Sequence, residues 1–174
     1  MERTVKPQKR IAVYAGTFDP VTLGHLWMIQ RGSSLFDKLV VAVGTNPDKI
    51  CYFSARERVM MIQKSIAGYE NVSVDKYQNK FLIKYAESIG AKFILRGIRS
   101  TGDYEYEKSL SYVNRDLNSE IVTVFLLPPR EMIEISSSIV RGLIGPEGWE
   151  KVVSKYVPPC VLERLLLGKT VNKS

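Results

Sequence analysis

The chain has 174 residues, 45% of them hydrophobic and 25% charged, which fits one globular domain with a sizeable core. No apolar run reaches the roughly 18 residues of a membrane span, the polar N-terminus lacks a signal peptide's apolar stretch, and one histidine with two distant cysteines excludes a zinc cluster. The net charge of +7 is spread along the chain rather than interleaved with aromatic residues, which disfavours nucleic-acid binding and favours a pocket for phosphorylated small molecules.

Strand-like and helix-like segments alternate from one end of the chain to the other. Apolar runs predict strands at 11–15, 38–44, 71–75, 93–95 and 121–127. Apolar residues at helical spacing predict helices that begin near 22, after a capping box at 54–57 and continuing to 66, at 81–89, at 103–115, from 136, and at 161–167.

This alternation predicts an α/β fold. We expect a single-domain, Rossmann-like, doubly wound five-stranded parallel sheet with helices on both faces and a C-terminal helix. The domain is predicted to span 10–168, between a basic N-terminal extension at 1–9, expected to be disordered, and a polar C-terminal tail at 169–174.

Hydrogen-bond donors follow the predicted strands at the points where those strands end, which is where open parallel sheets bind ligands. These donors are Thr17 and His25 after the first strand, Lys49 after the second, Arg96 and Arg99 after the fourth, and Ser136, Ser137 and Ser138 after the fifth. The segments show neither a nucleophile beside the histidine nor a P-loop. Donors without a base suit attack by an acceptor that is already an anion, which indicates nucleotidyl transfer.

Each of these residues also has a structural explanation. His25 and the three serines could cap helices, and Lys49 could be a solvated loop cation. Arg96 and Arg99 could form ion pairs with Glu105 or Glu107. Each explanation is plausible for a single residue, and only the shared location at strand ends favours a functional site.

Several motifs resemble those of the nucleotidyltransferase superfamily. Residues 14–25 (YAGTFDPVTLGH) are similar to its Gly-Thr-Phe-Asp-Pro…Gly-His signature, and residues 135–141 (ISSSIVR) are similar to its Ile-Ser-Ser-Ser/Thr signature with a following basic residue. Residues 53–59 (FSARERV), 95–99 (LRGIR), 103–107 (DYEYE) and Asn114 are similar to bacterial phosphopantetheine adenylyltransferases. The resemblance runs from about residue 10 to about residue 166.

This resemblance implies a reaction and a set of site residues. ATP and 4′-phosphopantetheine would give dephospho-coenzyme A and pyrophosphate by in-line transfer, without a covalent enzyme intermediate. The implied catalytic residues are His25, Lys49, Arg99 and Ser138, with His25 stabilising the transition state at the α-phosphorus. The implied ATP-binding residues are Thr17, Phe18, His25, Gly97, Ile98, Arg99, Glu107, Met132, Ile133, Glu134, Ile135, Ser136, Ser137 and Ser138. The implied phosphopantetheine-binding residues are Thr17, Lys49, Leu82 and Arg96.

The resemblance also implies a cofactor and an assembly. Mg²⁺ would be held mainly through substrate phosphates, with no metal ligands from the protein, in a homo-hexamer located in the cytoplasm. Two alternatives stay open: a superfamily nucleotidyltransferase that uses another phosphate acceptor, such as nicotinamide mononucleotide or glycerol 3-phosphate, and a non-catalytic nucleotide-binding protein. Trp27 and the stretch Met132-Ile133-Glu134 depart from the family's usual residues and leave room for the second alternative.

Overall fold

The computed structural model describes residues 9–45 and 50–171, and side chains through residue 168. Residues 1–8 of the predicted extension, residues 172–174 of the predicted tail, and Lys49 lie outside the described residues. The strands are β1 (Ile11–Gly16), β2 (Lys38–Thr45), β3 (Val72–Gln78), β4 (Phe93–Gly97) and β5 (Val122–Leu126). The helices are α1 (Leu23–Leu35), α2 (Ala55–Ser65), α3 (Leu82–Ser88), α4 (Thr101–Leu117), α5 (Arg130–Ile133), α6 (Ser137–Gly142), α7 (Trp149–Val153) and α8 (Pro159–Val171).

The five strands form one parallel sheet in the order β3-β2-β1-β4-β5, which confirms the predicted fold. The chain moves outward from β1 to β3 and then crosses back to place β4 on the other side of β1. This reversal creates a crevice beyond the carboxyl ends of β1 and β4, the place where such folds bind ligands.

Each face of the sheet carries its own hydrophobic core, because side chains alternate between the faces along each strand. Ala12 and Tyr14 of β1 belong to a core that includes buried residues of α1, α2, α7 and α8. Val13 and Ala15 belong to the other core, which includes Ile83, Tyr85 and Ala86 of α3. Helices therefore cover both faces, as predicted.

Two helices begin at capping boxes, in which an N-cap side chain and the side chain three residues later satisfy each other's backbone N–H groups. The predicted box at Ser54 and Glu57 starts α2. A second box pairs Thr22 with His25 at the start of α1 and was not predicted from the sequence. Among the described helices, none is long and apolar enough to cross a membrane.

Several predicted boundaries need correction. Strand β3 extends to Gln78, whereas the sequence predicted its end at 75. The prediction stopped short because Asp75, Lys76 and Gln78 are polar residues at exposed positions of an edge strand. Helix α8 covers 159–171 instead of 161–167. The short helices α5 and α7 were missed, since four or five residues are too few to show a helical period.

Candidate active site

Three cavities meet at Thr17, at the carboxyl ends of β1 and β4. The His25 cavity, of about 310 Å³, is lined by Tyr14, His25, Arg96, Arg99, Glu107 and Met132, among others. The Tyr77 cavity, of about 460 Å³, is lined by Gly44, Cys51, Tyr77, Lys80, Arg96 and Tyr106, among others. The Ser136 cavity, of about 440 Å³, is lined by His25, Arg99, Ser136, Ser137, Ser138 and Arg141, among others. Thr17 lines all three, so a group held there is reachable from each.

His25 is held with a fixed ring orientation and a fixed proton position. Its Nδ1 accepts the backbone N–H of Thr22 at 3.0 Å, so the proton of the neutral ring lies on Nε2. Its ring packs edge-on against Phe18, with the centroids 5.0 Å apart. Burial, together with the positive charge of Arg99, lowers the pKa of His25 to about 4. At neutral pH the residue is therefore an uncharged Nε2–H donor that borders two of the cavities.

The capping explanation of His25 is confirmed by the structure, whereas its role toward a ligand stays a prediction that this geometry permits. Nδ1 serves the helix, and Nε2 is left for a ligand. Among the described residues, the ring of His25 forms hydrogen bonds only with Thr22, which is fully buried. The ring consequently has no exposed nucleophile to activate, and the arrangement favours donation of a hydrogen bond over base chemistry.

Arg96 and Arg99 form ion pairs, as the structural explanation of these residues proposed, although only one partner was foreseen. Arg96 donates to both carboxylate oxygens of Glu107 and, at 2.9 Å, to the carbonyl of Ala15. Burial favours the neutral form of Arg96, but the bound Glu107 carboxylate outweighs it and the pKa of Arg96 is raised. Arg99 pairs with Asp103 at 2.9 Å, which was not predicted.

The Arg96–Glu107 pair stands between the His25 cavity and the Tyr77 cavity. Arg96 lines both cavities, whereas Glu107 lines only the first. Because two of its nitrogens bind Glu107, the guanidinium is held with a defined plane at the boundary. Glu107, which the family resemblance assigned to ATP, is used here to orient Arg96.

The three consecutive serines have three different roles in the structure. Ser136 caps α6 by accepting the N–H of Ile139 at 3.2 Å, as the capping explanation proposed. Ser137 donates to the carbonyl of Pro20 at 2.8 Å, and the Ser138 hydroxyl accepts from Arg141 at 3.3 Å. All three line the Ser136 cavity, so this segment both closes onto the loop after β1 and borders the site.

Several predicted site residues are not brought to the three cavities. Leu82, the first residue of α3, packs against the core on that face of the sheet, and Ile98 is buried with its N–H bonded to the carbonyl of Leu126. Ile133 is exposed, and Glu134 lies in a separate surface hollow with Arg130 and Tyr156. The carboxylate of Glu134 therefore does not border the cavities, although the sequence placed it in the nucleotide-binding stretch. Gly97, Met132 and Ile135 do line the His25 cavity.

Two charged residues for which the sequence predicted no role are almost fully buried at the site, Arg58 beneath it and Asp19 in the wall of the Ser136 cavity. Asp19 is 4% exposed and accepts the backbone N–H groups of Tyr52 and Phe53 at 2.7 and 2.9 Å. Arg58 is 3% exposed and, within the described part of the chain, donates only to backbone carbonyls. The sequence did offer a signal for Arg58, because the arginine precedes an apolar stretch at 59–62 of the predicted helix. Burying a charged side chain in such surroundings is unfavourable unless it has polar partners.

The acidic groups at the site do not form a metal cage. The described residues contain no group of three or more His, Cys, Asp or Glu side chains that could hold an ion. Asp103 and Glu107 each pair with an arginine. This donor set fits a divalent cation that arrives bound to phosphate oxygens and keeps several of its waters.

Comparison with known proteins gives matches over most of the chain. The family model described as Cytidylyltransferase-like matches residues 13–143. Phosphopantetheine adenylyltransferase from Chromobacterium violaceum is 55% identical over 155 residues, covering 89% of this chain and 94% of the relative. The protein of the same name from Zymomonas mobilis is 39% identical over 175 residues, covering 98% and 97%.

A solved structure with little sequence identity shares the fold. Plasmodium falciparum nicotinic acid mononucleotide adenylyltransferase complexed with APC superposes with a TM-score of 0.69 at 15% identity. The superposition covers 93% of this chain and 96% of that one. At this level of identity the likeness supports the architecture alone.

Proposed function

Because the chain belongs to the cytidylyltransferase-like family and, within it, to the phosphopantetheine adenylyltransferases, we propose that it transfers the adenylyl group of ATP to 4′-phosphopantetheine. The products are dephospho-coenzyme A and pyrophosphate, which makes the chain an enzyme of coenzyme A synthesis. The observation that carries the proposal is the meeting of three cavities at Thr17, beside a neutral His25 donor.

The transfer is a single in-line displacement. A phosphate oxygen of 4′-phosphopantetheine forms a bond to the α-phosphorus of ATP while the bond to the β-phosphate oxygen breaks. The attacking oxygen is already anionic, so no proton has to be removed and no general base is needed. The work of the protein is to position the two phosphates and to stabilise the charge that develops between them.

Each cavity takes one part of the reacting pair. The His25 cavity, with Gly97 and Ile135 in its wall, takes the adenosine, and the Ser136 cavity takes the departing pyrophosphate. The Tyr77 cavity takes the pantetheine arm, with Arg96 at its inner end for the acceptor phosphate. Thr17 contacts both substrates, and Nε2–H of His25 donates to an α-phosphate oxygen as the transition state forms.

Positive charge around the Ser136 cavity matches the pyrophosphate. Arg99 and Arg141 line this cavity, together with the hydroxyl of Ser138. We include Lys49 as a catalytic residue and a ligand of 4′-phosphopantetheine on the family resemblance alone, since it lies outside the described residues. Mg²⁺ would be held through the phosphates of ATP, where it would offset their charge, and the donors of the Ser136 cavity would hold the same phosphates.

The assembly we propose is a homo-hexamer in the cytoplasm. A face of apolar side chains is available for subunit contact on α4 and β5, with Tyr106 at 64%, Tyr112 at 60% and Val122 at 52% exposure. Exposed apolar side chains of this size favour association with a second copy. Light scattering of the purified chain measures the number of subunits, and a monomer at micromolar concentration would contradict this assignment.

The reaction is tested by pyrophosphate release from ATP with each acceptor in turn. We expect release with 4′-phosphopantetheine and none above background with nicotinamide mononucleotide or glycerol 3-phosphate. Mass spectrometry of the product distinguishes dephospho-coenzyme A from ATP hydrolysis products. Release with another acceptor only, or no release with any, would overturn the proposed function.

A further inference from the structure

Arg58 is a buried cation whose hydrogen bonds go to backbone carbonyls. Its Nη1 donates to the carbonyls of Thr17 at 2.7 Å and Gly44 at 3.2 Å, and its Nε donates to that of Phe53 at 3.2 Å. Within residues 9–45 and 50–171, no carboxylate forms an ion pair with it. Burying an arginine in this way costs free energy. Its position beneath three segments of the chain therefore calls for an explanation beyond packing.

The three carbonyls belong to the three segments that surround the site. Thr17 lies in the loop after β1, Gly44 lies near the end of β2, and Phe53 lies just before α2. Asp19 closes the arrangement from the other side, since its carboxylate accepts the N–H groups of Tyr52 and Phe53. Phe53 is thus held by both its N–H and its carbonyl. Two links join it to the loop after β1: its N–H donates to Asp19, and Arg58 bridges its carbonyl to that of Thr17.

The bond from Arg58 to Thr17 fixes a peptide group that borders the cavities. The carbonyl of Thr17 and the N–H of Phe18 belong to one peptide unit, which is trans and planar. With the carbonyl directed at Arg58, the Phe18 N–H is directed away from it. Thr17 and Phe18 line the Ser136 cavity and Arg58 does not, so the N–H lies on the cavity side of the peptide.

Two further observations indicate that this N–H is reserved for a ligand. Among the described residues it has no hydrogen-bond partner. In addition, Phe18 has a φ of 51°, a conformation that side chains other than glycine adopt rarely and only where the surroundings hold them. A cation on the carbonyl also polarises the peptide unit and strengthens its N–H as a donor.

We propose that Arg58 is a positioning residue that aims and polarises the Thr17–Phe18 peptide, so that the Phe18 N–H binds a phosphate oxygen of ATP. The proposal rests on the proposed function for the identity of the anion. Arg58 itself does not touch the substrate, and its effect on ATP passes through the one peptide group between Thr17 and Phe18. Loss of Arg58 therefore weakens contacts to ATP more than contacts to the acceptor.

The test compares Arg58→Lys and Arg58→Met with Arg56→Met, which removes an exposed arginine from the same helix. For Arg58→Met we expect kcat/KM for ATP to fall about 10- to 100-fold, the size of one lost charge-assisted hydrogen bond. We expect KM for 4′-phosphopantetheine to change less than about threefold. Lysine keeps the charge and can reach one carbonyl, so Arg58→Lys should fall between the wild type and Arg58→Met. Arg56→Met should behave as wild type.

A purely structural role predicts a different result. Both Arg58 variants would then melt at lower temperature but, assayed well below melting, would show wild-type kinetic constants. That outcome would overturn the proposal, as would equal losses for both substrates. If Arg58→Met does not fold, the Arg58→Lys comparison decides alone.

Calorimetric titration of ATP without acceptor separates this proposal from the proposed function. A roughly tenfold weaker affinity in Arg58→Lys supports the positioning role even if the wild type transfers nothing. Labelling with ¹⁵N-phenylalanine gives an independent reading, since the chain has six such residues and a Phe18→Leu spectrum identifies the signal of interest. ATP should shift the Phe18 amide signal in the wild type and shift it less in Arg58→Lys. An unmoved Phe18 amide in the wild type would contradict the proposed hydrogen bond.

Discussion

The protonation state of His25 gives a prediction that is open to direct observation, because it is the only histidine in the chain. We expect its imidazole to remain neutral from about pH 8 down to about pH 5, with the proton on Nε2. Two features cause this: burial lowers its pKa from 6.5 to about 4, and the N–H of Thr22 occupies Nδ1. The perturbation is therefore a simple change of pH.

The magnitude follows from linkage between protonation and folding. In the unfolded chain the histidine binds a proton near pH 6.5, whereas in the folded chain it does so only near pH 4. Between these values the unfolded state binds more protons, so stability falls as the pH falls. From about pH 7.5 to about pH 5, this residue is expected to lower the free energy of unfolding by about 2 kcal/mol. Most of its remaining contribution to stability is lost by about pH 4.

NMR of the imidazole and urea unfolding at the two pH values test the prediction. His25→Gln is the matched control, because glutamine at the third helical position preserves a capping box and does not ionise. The wild type should lose about 2 kcal/mol more than this variant on acidification. An imidazole that titrates near pH 6.5, or nitrogen shifts that place its proton on Nδ1, would refute both the electrostatic argument and the donor role.

Four substitutions extend these arguments. His25→Ala should lower kcat about 10²- to 10³-fold, as expected for one lost transition-state donor, and leave the ATP Kd within several-fold; a large loss of affinity with unchanged kcat would contradict this role. Glu107→Gln should raise KM for 4′-phosphopantetheine several-fold by loosening Arg96, with ATP affinity nearly unchanged, and a greater loss of ATP affinity would show direct nucleotide contact. Gly16→Ala would place a methyl group 3.0 Å from the Phe18 ring, which packs on His25, and should lower kcat about tenfold. Gly32→Ala, whose added carbon would lie 2.8 Å from Leu95, should instead lower the free energy of unfolding by about 1–3 kcal/mol without changing kcat. Thermal unfolding measured beside the kinetics distinguishes this stability effect from the kinetic effect of Gly16→Ala.

The order of elements in this fold could be predicted because its central strands are strongly apolar. The runs in β1, β2 and β4 are buried on both faces, and such strands stand out against the polar loops between them. The outer strand β3 was cut short, since an edge strand carries polar residues that resemble a loop. The helices α5 and α7 have no sequence period to detect, and their existence depends on tertiary contacts.

The site was predictable where its residues carry hydrogen-bond donors at strand ends. It was less predictable where a charged side chain holds another group of the protein in place. His25, Arg99 and the serines were identified because a parallel sheet brings the ends of its strands together. The ion pairs were predicted only in part: Glu107 was among the partners considered for Arg96, whereas the pairing of Arg99 with Asp103 was not considered. Arg58 is further removed still, because its three acceptors are backbone carbonyls, which every residue possesses and no side-chain pattern records. Sequence patterns therefore identify the groups that line the cavities, whereas the groups that hold them in place become apparent only from the hydrogen bonds of the folded chain.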